Sequence, residues 1–508
     1  MNLIRILLIA SLPVAALIAV PPALIGPQVE EQVQIGIAQA SDNPVASIRL
    51  TEYTRGWFGA EGRIVVQARE EYLDAVLAER AAEESAQDSQ AAASMEEVRA
   101  SLLEPVEFDL DIAHGALLFQ NGLGLGAASA VLTLEDTFKE DLPELEMDGE
   151  VTSTMRVAFD RSVDFAFDIP SFELRFEPPD EPAGEVQFLG LASSGRYDTV
   201  ASEVVYAATM PLLSVKIGDN VVISVDNTAF EGTGQELTED VWLGDFNWTT
   251  AQMRISAVDE DAGDTYDLLM ERFNSNMAVD QDKDSNLLFV EMGYSIDHMV
   301  AEEYEGGFNL PITVRNIPVE TMQGYMSLLD DPAAAAAFED DTAPVTEKLT
   351  EQLLGIFEPW LAASPELRVG PAKVDLPDGT LNVDMRVLVS GDEFSKVGIA
   401  AMADPNVLGQ VLSATLDASV PVAQAESLAK WVLTDQITSG MAGQPPEYQL
   451  TPEQAAEMAA QQAPGMLSEL VQQGIIEREG DNYTAAIKVK DGSVDMNGLV
   501  LPLGMFAQ

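Results

Sequence analysis

His114 and His298 are the two histidines of this sequence, and histidine is the side chain best suited to move a proton near neutral pH. Catalysis by such a base also needs a nucleophile and an orienting acid close by in space. The chain has neither a Gly-x-Ser-x-Gly elbow nor a His-Glu-x-x-His helix, the local motifs that would supply such a nucleophile or a zinc ion. We therefore expect His114, with Gly115, to lie at a strand turn, and we predict no catalytic residue.

Carboxylates recur at calcium-loop spacing in Asp280-x-Asp282-x-Asp284, and Glu291 stands at the twelfth position of that loop. Oxygen ligands at this spacing bind calcium between two helices. Here Ser285 takes the sixth position, where such loops need Gly, and strand-like sequence flanks the segment. We interpret the segment as a hairpin tip and predict no metal site.

A glycine-rich segment, Gly122 to Ala127, resembles a nucleotide-binding loop only superficially. A dinucleotide fingerprint needs a helix directly after the glycines. The residues that follow, Ala130 to Leu134, are instead typical of a strand. The sequence therefore predicts no cofactor.

The most distinctive cluster is Arg55-Gly56-Trp57-Phe58, with Tyr53 two residues before it. An arginine beside aromatic rings can hold an anionic headgroup or a protein partner. The cluster also suits a hairpin corner, because glycine at a strand junction is common in turns. We favour the corner, with Trp57 and Phe58 anchoring the core.

The charge of the chain excludes one class of partner. Its 85 acidic and 26 basic residues give a formal net charge of −59. Because affinity for nucleic acid comes from Lys and Arg that neutralise phosphates, nucleic-acid binding is not expected. The acidity suits a saline habitat, where salt screens self-repulsion, although solubility alone would also explain it. Cys is absent, which excludes disulfides, thiol nucleophiles and Cys-ligated metals.

An apolar run from Ile6 to Ile25 is long enough to span a bilayer as one helix. Arg5 precedes the run and Glu30 follows it, so the positive-inside rule predicts a cytoplasmic N-terminus and an exported remainder. The alternative is a cleaved signal peptide, for which Ala38-Gln39-Ala40 has the right small residues. That site lies more than ten residues beyond the run, so we favour an uncleaved inner-membrane anchor at 1–27.

Periodicity predicts an α+β fold, mostly antiparallel sheet with C-terminal helices. A tether at 28–45 leads to a β-rich region at 46–318, with a helical insertion near 70–104. Alternation is clear in Phe172–Phe176, and Asp378-Gly379 marks a hairpin. An α+β region follows at 319–508, with an apolar helical stripe from Leu349 to Leu361 and two helices near 421–439 and 451–474.

Several motifs in order resemble those of the YdgA-like family of Gram-negative envelope proteins, a family of unknown function. They are the N-terminal anchor, Tyr53-Thr54-Arg55-Gly56-Trp57-Phe58, His114-Gly115, Pro365–Val369 leading into Gly379–Leu381, and Gly492–Pro502 around Asn497-Gly498. One departure is Ala116, where the family usually has Pro. The resemblance implies a periplasmic domain attached to the inner membrane, and it supplies no active site.

Two functions remain open from the sequence. The first is a non-enzymatic envelope protein that binds lipid or a protein partner, since a long alternating sheet can offer an apolar face. The second is a hydrolase of envelope polymers that uses paired carboxylates. With 85 acidic residues, no such pair stands out, so we favour binding.

Overall fold

The computed structural model describes most of the chain beyond the N-terminal segment. The described residues are 33–34, 37–38, 41, 45–55, 59–70, 72–73, 99–100, 103–114, 117–118, 124–125, 128–134, 145–158, 160–176, 183–218, 220–238, 241–258, 265–301, 304–329, 347–377, 379–441 and 450–503. Among them, no helix is both long enough and apolar enough to cross a membrane. The predicted anchor at 1–27 lies outside these residues.

The chain divides into two compact units. Unit 1 comprises residues 1–235 and 254–265, and unit 2 comprises residues 236–253 and 266–508. Each unit is built on antiparallel strands. The described helices that are longer than one turn all lie in unit 2. The predicted α+β class, mostly antiparallel, is confirmed.

Strands β1 to β14 begin in unit 1. They are β1 (Ala46–Arg55), β2 (Gly59–Ala68), β3 (Val106–His114), β4 (Leu117–Leu118), β5 (Gly124–Leu125), β6 (Ala128–Leu134), β7 (Leu145–Met147), β8 (Thr152–Val157), β9 (Ser162–Ile169), β10 (Phe172–Phe176), β11 (Gly184–Phe188), β12 (Leu191–Asp198), β13 (Glu203–Ile217) and β14 (Val221–Thr238). Pairing runs β1-β2-β3-β6-β8-β9-β12-β13-β14. A second branch runs β13-β11-β10-β7.

The two branches meet on one edge of β13. Residues 203–209 of β13 pair with β12, and residues 213–217 pair with β11. Pro211 lies between these two segments and has no N–H to donate. Strand β13 therefore changes its partner from β12 to β11 at a residue that cannot donate a backbone hydrogen bond to either.

Side chains from both branches form the core of unit 1. The long branch supplies Ile48, Leu110 and Phe167, and the short branch supplies Phe172 and Phe188, whose ring centroids lie 4.9 Å apart. Tyr53 of β1 packs against the same cluster. Two sheet layers thus cover each other, as alternating strands require when one face is apolar.

Strands β15 to β25 continue the chain. They are β15 (Val241–Val258), β16 (Thr265–Gln281), β17 (Leu288–Ala301), β18 (Tyr304–Ile317), β19 (Glu366–Leu376), β20 (Gly379–Val389), β21 (Leu412–Pro421), β22 (Glu477–Glu479), β23 (Asn482–Lys490), β24 (Ser493–Met496) and β25 (Leu499–Pro502). In unit 2 the pairing runs β16-β17-β18-β19-β20-β21-β23. The opposite edge of β23 carries β22 and β24, and β25 follows β24.

Helices connect several of these strands. They are α1 (Val319–Leu329), α2 (Glu347–Ala362), α3 (Gly391–Val397), a short 3₁₀ helix (Ile399–Ala403), α4 (Pro405–Val411), α5 (Val422–Met441) and α6 (Pro452–Gln472). Thr451 caps α6 through a reciprocal bond pair with Gln454, the capping box that satisfies two orphan N–H groups. The predicted stripe at 349–361 and both predicted C-terminal helices are confirmed.

Most of the predicted strands are confirmed as well, including the hairpin at 46–69 and the pair at 366–389. Most of the helical insertion predicted near 70–104 lies outside the described residues. The first helix of unit 2 begins at Val319, where the sequence changes from strands to helices. The predicted division at 318/319 into a β-rich region and an α+β region stays a prediction. Helices α3 and α4 were not predicted, since each is only 7 residues long.

Candidate functional site

A row of apolar side chains runs across seven paired strands of unit 2, at right angles to the strands. The cross-strand partners in this middle row are Met277, Met292, Ile312, Val369, Met385, Leu416 and Ile487. Directly paired residues on neighbouring strands share a face of the sheet. The row is therefore one continuous apolar strip from β16 to β23.

Two further rows flank this strip on the same face. On one side lie Val279, Val290, Val314, Leu367, Val387, Ala414 and Val489. On the other side lie Ser275, Tyr294, Leu310, Val383, Ala418 and Ala485. None of these residues carries a charge, although 22% of the chain is charged. We call the three rows the apolar face.

The middle row is only partly covered. Met277 is 42% exposed, and the other six members are half-buried. None of the seven belongs to a buried hydrophobic cluster of the described residues. An apolar surface left partly open in this way is typical of a binding site.

Helices cover the margins of the face. Along one margin, Val290 and Val314 pack against the same buried cluster as Met322 of α1 and Trp360 of α2. Beyond the other margin, Val420 of β21 and Tyr483 of β23 pack against the antiparallel pair α5 and α6. The middle row therefore forms the floor of a trough with helices on either side.

The opposite face of the same sheet is charged. Arg386 contacts Glu366 at 2.7 Å, Arg368 contacts Asp384 at 2.9 Å, and Arg315 contacts Glu291 at 3.3 Å. The hydrogen bonds that Arg368 donates to Asp384 raise the pKa of Arg368, and those that Arg386 donates to Glu366 raise the pKa of Arg386. The charged face of the sheet is thus compatible with water, whereas the apolar face is compatible with apolar chains.

Irregular residues keep the apolar side chains on one face. In β19 the pairing shifts between Val369 and Ala372, so one extra residue moves the apolar positions from odd to even numbers. Gly370 in this bulge has φ 123°, and a Cβ there would lie 2.5 Å from the Val383 carbonyl oxygen. Only glycine fits that position without a backbone shift.

The predicted site residues near the N-terminus lie in unit 1. Tyr53 and Arg55 are in β1, paired with Gly62 and Ala60. Gly56, Trp57 and Phe58 lie outside the described residues, so their assignment as core anchors stays a prediction. His114 ends β3, where its backbone pairs with Ala128. Its side chain, and Gly115, are also outside the described part.

Asn497 and Gly498 form the turn between β24 and β25, both at positive φ. The Ala486 N–H donates to Asn497 Oδ1 at 2.8 Å. Asn497 Nδ2 donates to the carbonyl oxygen of Ile475 at 2.9 Å and to that of Gly474 at 3.3 Å. This one side chain therefore ties the last hairpin to β23 and to the turn after α6.

The acidic segment after Asp280 is a hairpin tip, as predicted, between β16 and β17. Asp282 Oδ1 accepts hydrogen bonds from the backbone N–H of Asp284 at 2.8 Å and of Ser285 at 3.3 Å. These bonds lower the pKa of Asp282. His298, on β17, is 4.0 Å from Glu305.

Unit 1 has an open pocket of about 630 Å³, lined by both charged and apolar side chains, that sequence patterns did not indicate. Arg156, Asp164 and Arg196 lie side by side along it on β8, β9 and β12. Arg196 contacts Asp160 at 3.0 Å and Asp164 at 3.6 Å, so carboxylates offset its charge. The apolar face of unit 2 is the stronger candidate because its middle row stays partly exposed and joins no buried hydrophobic cluster of the described residues.

Comparison with known proteins gives one match. The model of a family described as a bacterial protein of unknown function, DUF945, matches residues 3–503. Neither the curated proteins nor the solved structures contain a significant match. A match over nearly the whole chain shows that this protein belongs to the DUF945 family of bacterial proteins.

Proposed function

We propose that this protein is anchored in the inner membrane by its N-terminal segment and binds the apolar chains of lipids on the apolar face of unit 2. It acts by binding and not by catalysis. The observation that carries the proposal is the middle row of the face, which is uncharged, continuous and half-buried. Water contact with such a strip is unfavourable, and burial against an acyl chain would stabilise it by roughly 25 cal/mol per Å².

The composition of the floor suits a fluid ligand. Met277, Met292 and Met385 contribute three of its seven members. Methionine is unbranched and polarisable, so it adapts to chains of varied shape better than β-branched residues do. A lipid-binding face that accepts mixed acyl chains benefits from this adaptability.

The length of the floor favours more than one chain. Neighbouring strands lie ~4.8 Å apart, so the floor from β16 to β23 is about 29 Å long. The hydrocarbon core of a bilayer is ~30 Å thick and two chains deep, so one acyl chain is about 15 Å long. The floor can therefore hold two acyl chains end to end.

The sequence supports a membrane location for this activity. Residues 6–25 are apolar, Arg5 precedes them, and the flank that follows is acidic. This asymmetry favours a cytoplasmic N-terminus with the bulk of the chain in the periplasm. A phosphatase reporter fused after Gln508 should be active only when it is exported. A fusion that works in the cytoplasm instead would contradict this topology.

Lipid binding is tested with the full chain purified in detergent. A phospholipid with a photoactivatable acyl chain is added, and labelled peptides are mapped by mass spectrometry. We expect label on β18, β20 and β21, and loss of label in Leu416→Asn. The matched control is Thr415→Asn, because Thr415 is the neighbouring residue on the charged face.

Label that avoids the apolar face, or that is equal in the two variants, would overturn the proposal. Native mass spectrometry of the wild-type chain gives a second readout, since co-purified lipid should be present before any is added.

A further inference from the structure

Helix α5 carries the most exposed aromatic side chain among the described residues of unit 2. Trp431 is 69% exposed, and Leu428, one turn earlier, is 48% exposed. Exposed Leu residues are common on protein surfaces, whereas an indole open to this degree is unusual. The pair lies on one side of the helix, since residues three apart are neighbours on a helix surface.

The packing of α5 against α6 does not use this side. Ala425 and Ala429 of α5 are buried against Ala463 and Leu467 of α6, with Leu433 partly buried beside them. The small residues let the two helices approach closely. Leu428 and Trp431 are therefore not required for the helix pair to form.

Two threonines make the outer side of α5 less polar than its sequence indicates. The Thr434 hydroxyl donates to the Lys430 carbonyl oxygen at 2.8 Å, and the Thr438 hydroxyl donates to the Thr434 carbonyl oxygen at 3.0 Å. Hydroxyls bonded back to the preceding turn need no partner outside the helix. This arrangement suits a surface from which water is partly excluded.

Charge is also low on this helix. Among the 20 residues of α5, Glu426, Lys430 and Asp435 are the charged ones, a net of one negative charge in a chain of net −59. Asp435, four residues after Trp431, lies on the outer side, so a zwitterionic layer, whose headgroups also carry positive charge, can approach it without strong repulsion. Trp is the residue typical of the membrane–water interface, where its apolar ring and its N–H are both accommodated.

We propose that the outer side of α5, formed by Leu428, Trp431, Thr434 and Thr438, inserts into the interfacial layer of a zwitterionic bilayer. This rests on the proposed function only in requiring that the chain lie at a membrane. The helix pair flanks the apolar face through Val420 and Tyr483. Insertion of α5 therefore brings one margin of the apolar face to the lipid surface.

The test uses the full chain reconstituted in phosphatidylcholine vesicles, with lipids brominated near the headgroup as fluorescence quenchers. We expect brominated lipid to quench part of the tryptophan emission, and we expect Trp431→Phe to lose most of that quenching. The matched control is Trp242→Phe, because Trp242 of β15 is also exposed, at 41%, and lies on a strand. That variant should keep the quenching.

Equal quenching in wild type and Trp431→Phe would overturn the proposal. So would protection of Trp431 from acrylamide that increases with protein concentration at constant detergent, because a second copy of the chain would then be the occupant. Photolabelling of the apolar face is measured separately. If the apolar face is still photolabelled but Trp431 is not quenched, the insertion of α5 is refuted and lipid binding by the apolar face is not.

Discussion

Leu110 and Phe167 sit in mid-strand in unit 1 and are at most 5% exposed, whereas Met292 and Met385 sit in mid-strand in unit 2 and are half-buried. Both pairs belong to amphipathic antiparallel sheets. The difference is the second layer. In unit 1, strands β7, β10 and β11 lie over the long branch and share its core. In unit 2, the described helices pack along the margins.

Alternation alone does not close a core. Alternation assigns one face of each strand to apolar surroundings, but those surroundings can be protein or ligand. A covered face contributes to folding in the isolated chain. A face that is left half-open contributes most when something binds to it.

The largest expected difference is between two truncations. Phe167→Ala in unit 1 should lower the free energy of unfolding by ~3–5 kcal/mol, because it leaves a cavity in a packed core. Met385→Ala in unit 2 should cost less, about 1–2 kcal/mol, since part of its surface already lacks packing partners. Urea unfolding of both variants measures this. Equal losses would mean that the middle row is a closed core.

The closed end of the unit 2 sheet offers the next test. Met496, which continues the middle row into β24, is 8% exposed, and Asn497 holds the turn beside it. Asn497→Ala removes three hydrogen bonds at a positive φ and should cost about 2–3 kcal/mol. Asn382→Ala is the control, because that amide makes one bond, of 3.3 Å, to Thr380. A control loss as large as the Asn497 loss would show that the three hydrogen bonds of Asn497 do not hold this turn in place.

One glycine in each unit lies so close to a cross-strand side chain that an added Cβ would clash with it. A Cβ on Gly232 in unit 1 would lie 2.4 Å from the Tyr206 ring, and a Cβ on Gly293 in unit 2 would lie 2.3 Å from Asn276 Oδ1. The ring is rigid and half-buried, whereas the amide is exposed and can turn away. Gly232→Ala should therefore cost about 1–2 kcal/mol and Gly293→Ala less. Melting temperatures in the reverse order would show that Tyr206 moves freely.

The smallest expected effect is the contribution of Asp160 to the melting temperature, which depends on pH. Hydrogen bonds from Ser162 lower the pKa of Asp160 from its ordinary value of 3.8, with a lesser contribution from Arg196. A depressed pKa adds stability above the unfolded value, and that stability is lost as pH falls through the folded value. Asp160→Asn should thus lower the melting temperature at pH 7 and have no effect once pH is well below 3.8. If the difference in melting temperature between wild type and Asp160→Asn persists in acid, the lower stability comes from the lost hydrogen bonds with Ser162 and not from the charge of Asp160.

Much of the fold could be predicted from local pattern, and the candidate site could not. Alternation in Phe172–Phe176 and the stripe from Leu349 to Leu361 depend only on neighbours in sequence. The apolar face depends on which residues of seven strands stand opposite one another. The bulge at Gly370 and the positive φ of Asn316 reset that register, and their effect is visible only once the strands are paired.

The order of the strands in unit 2 also has a kinetic consequence. Strands β16, β17 and β18 follow one another, and the loop 282–287 closes the first pair. The connection 318–365, between β18 and β19, is about eight times as long, so its closure costs about 2 kcal/mol more in chain entropy. A chain that emerges N-terminus first would therefore complete the β16–β18 meander early. It would wait longer to add β19, and during that interval the edge of β18 would be open to pairing with another chain.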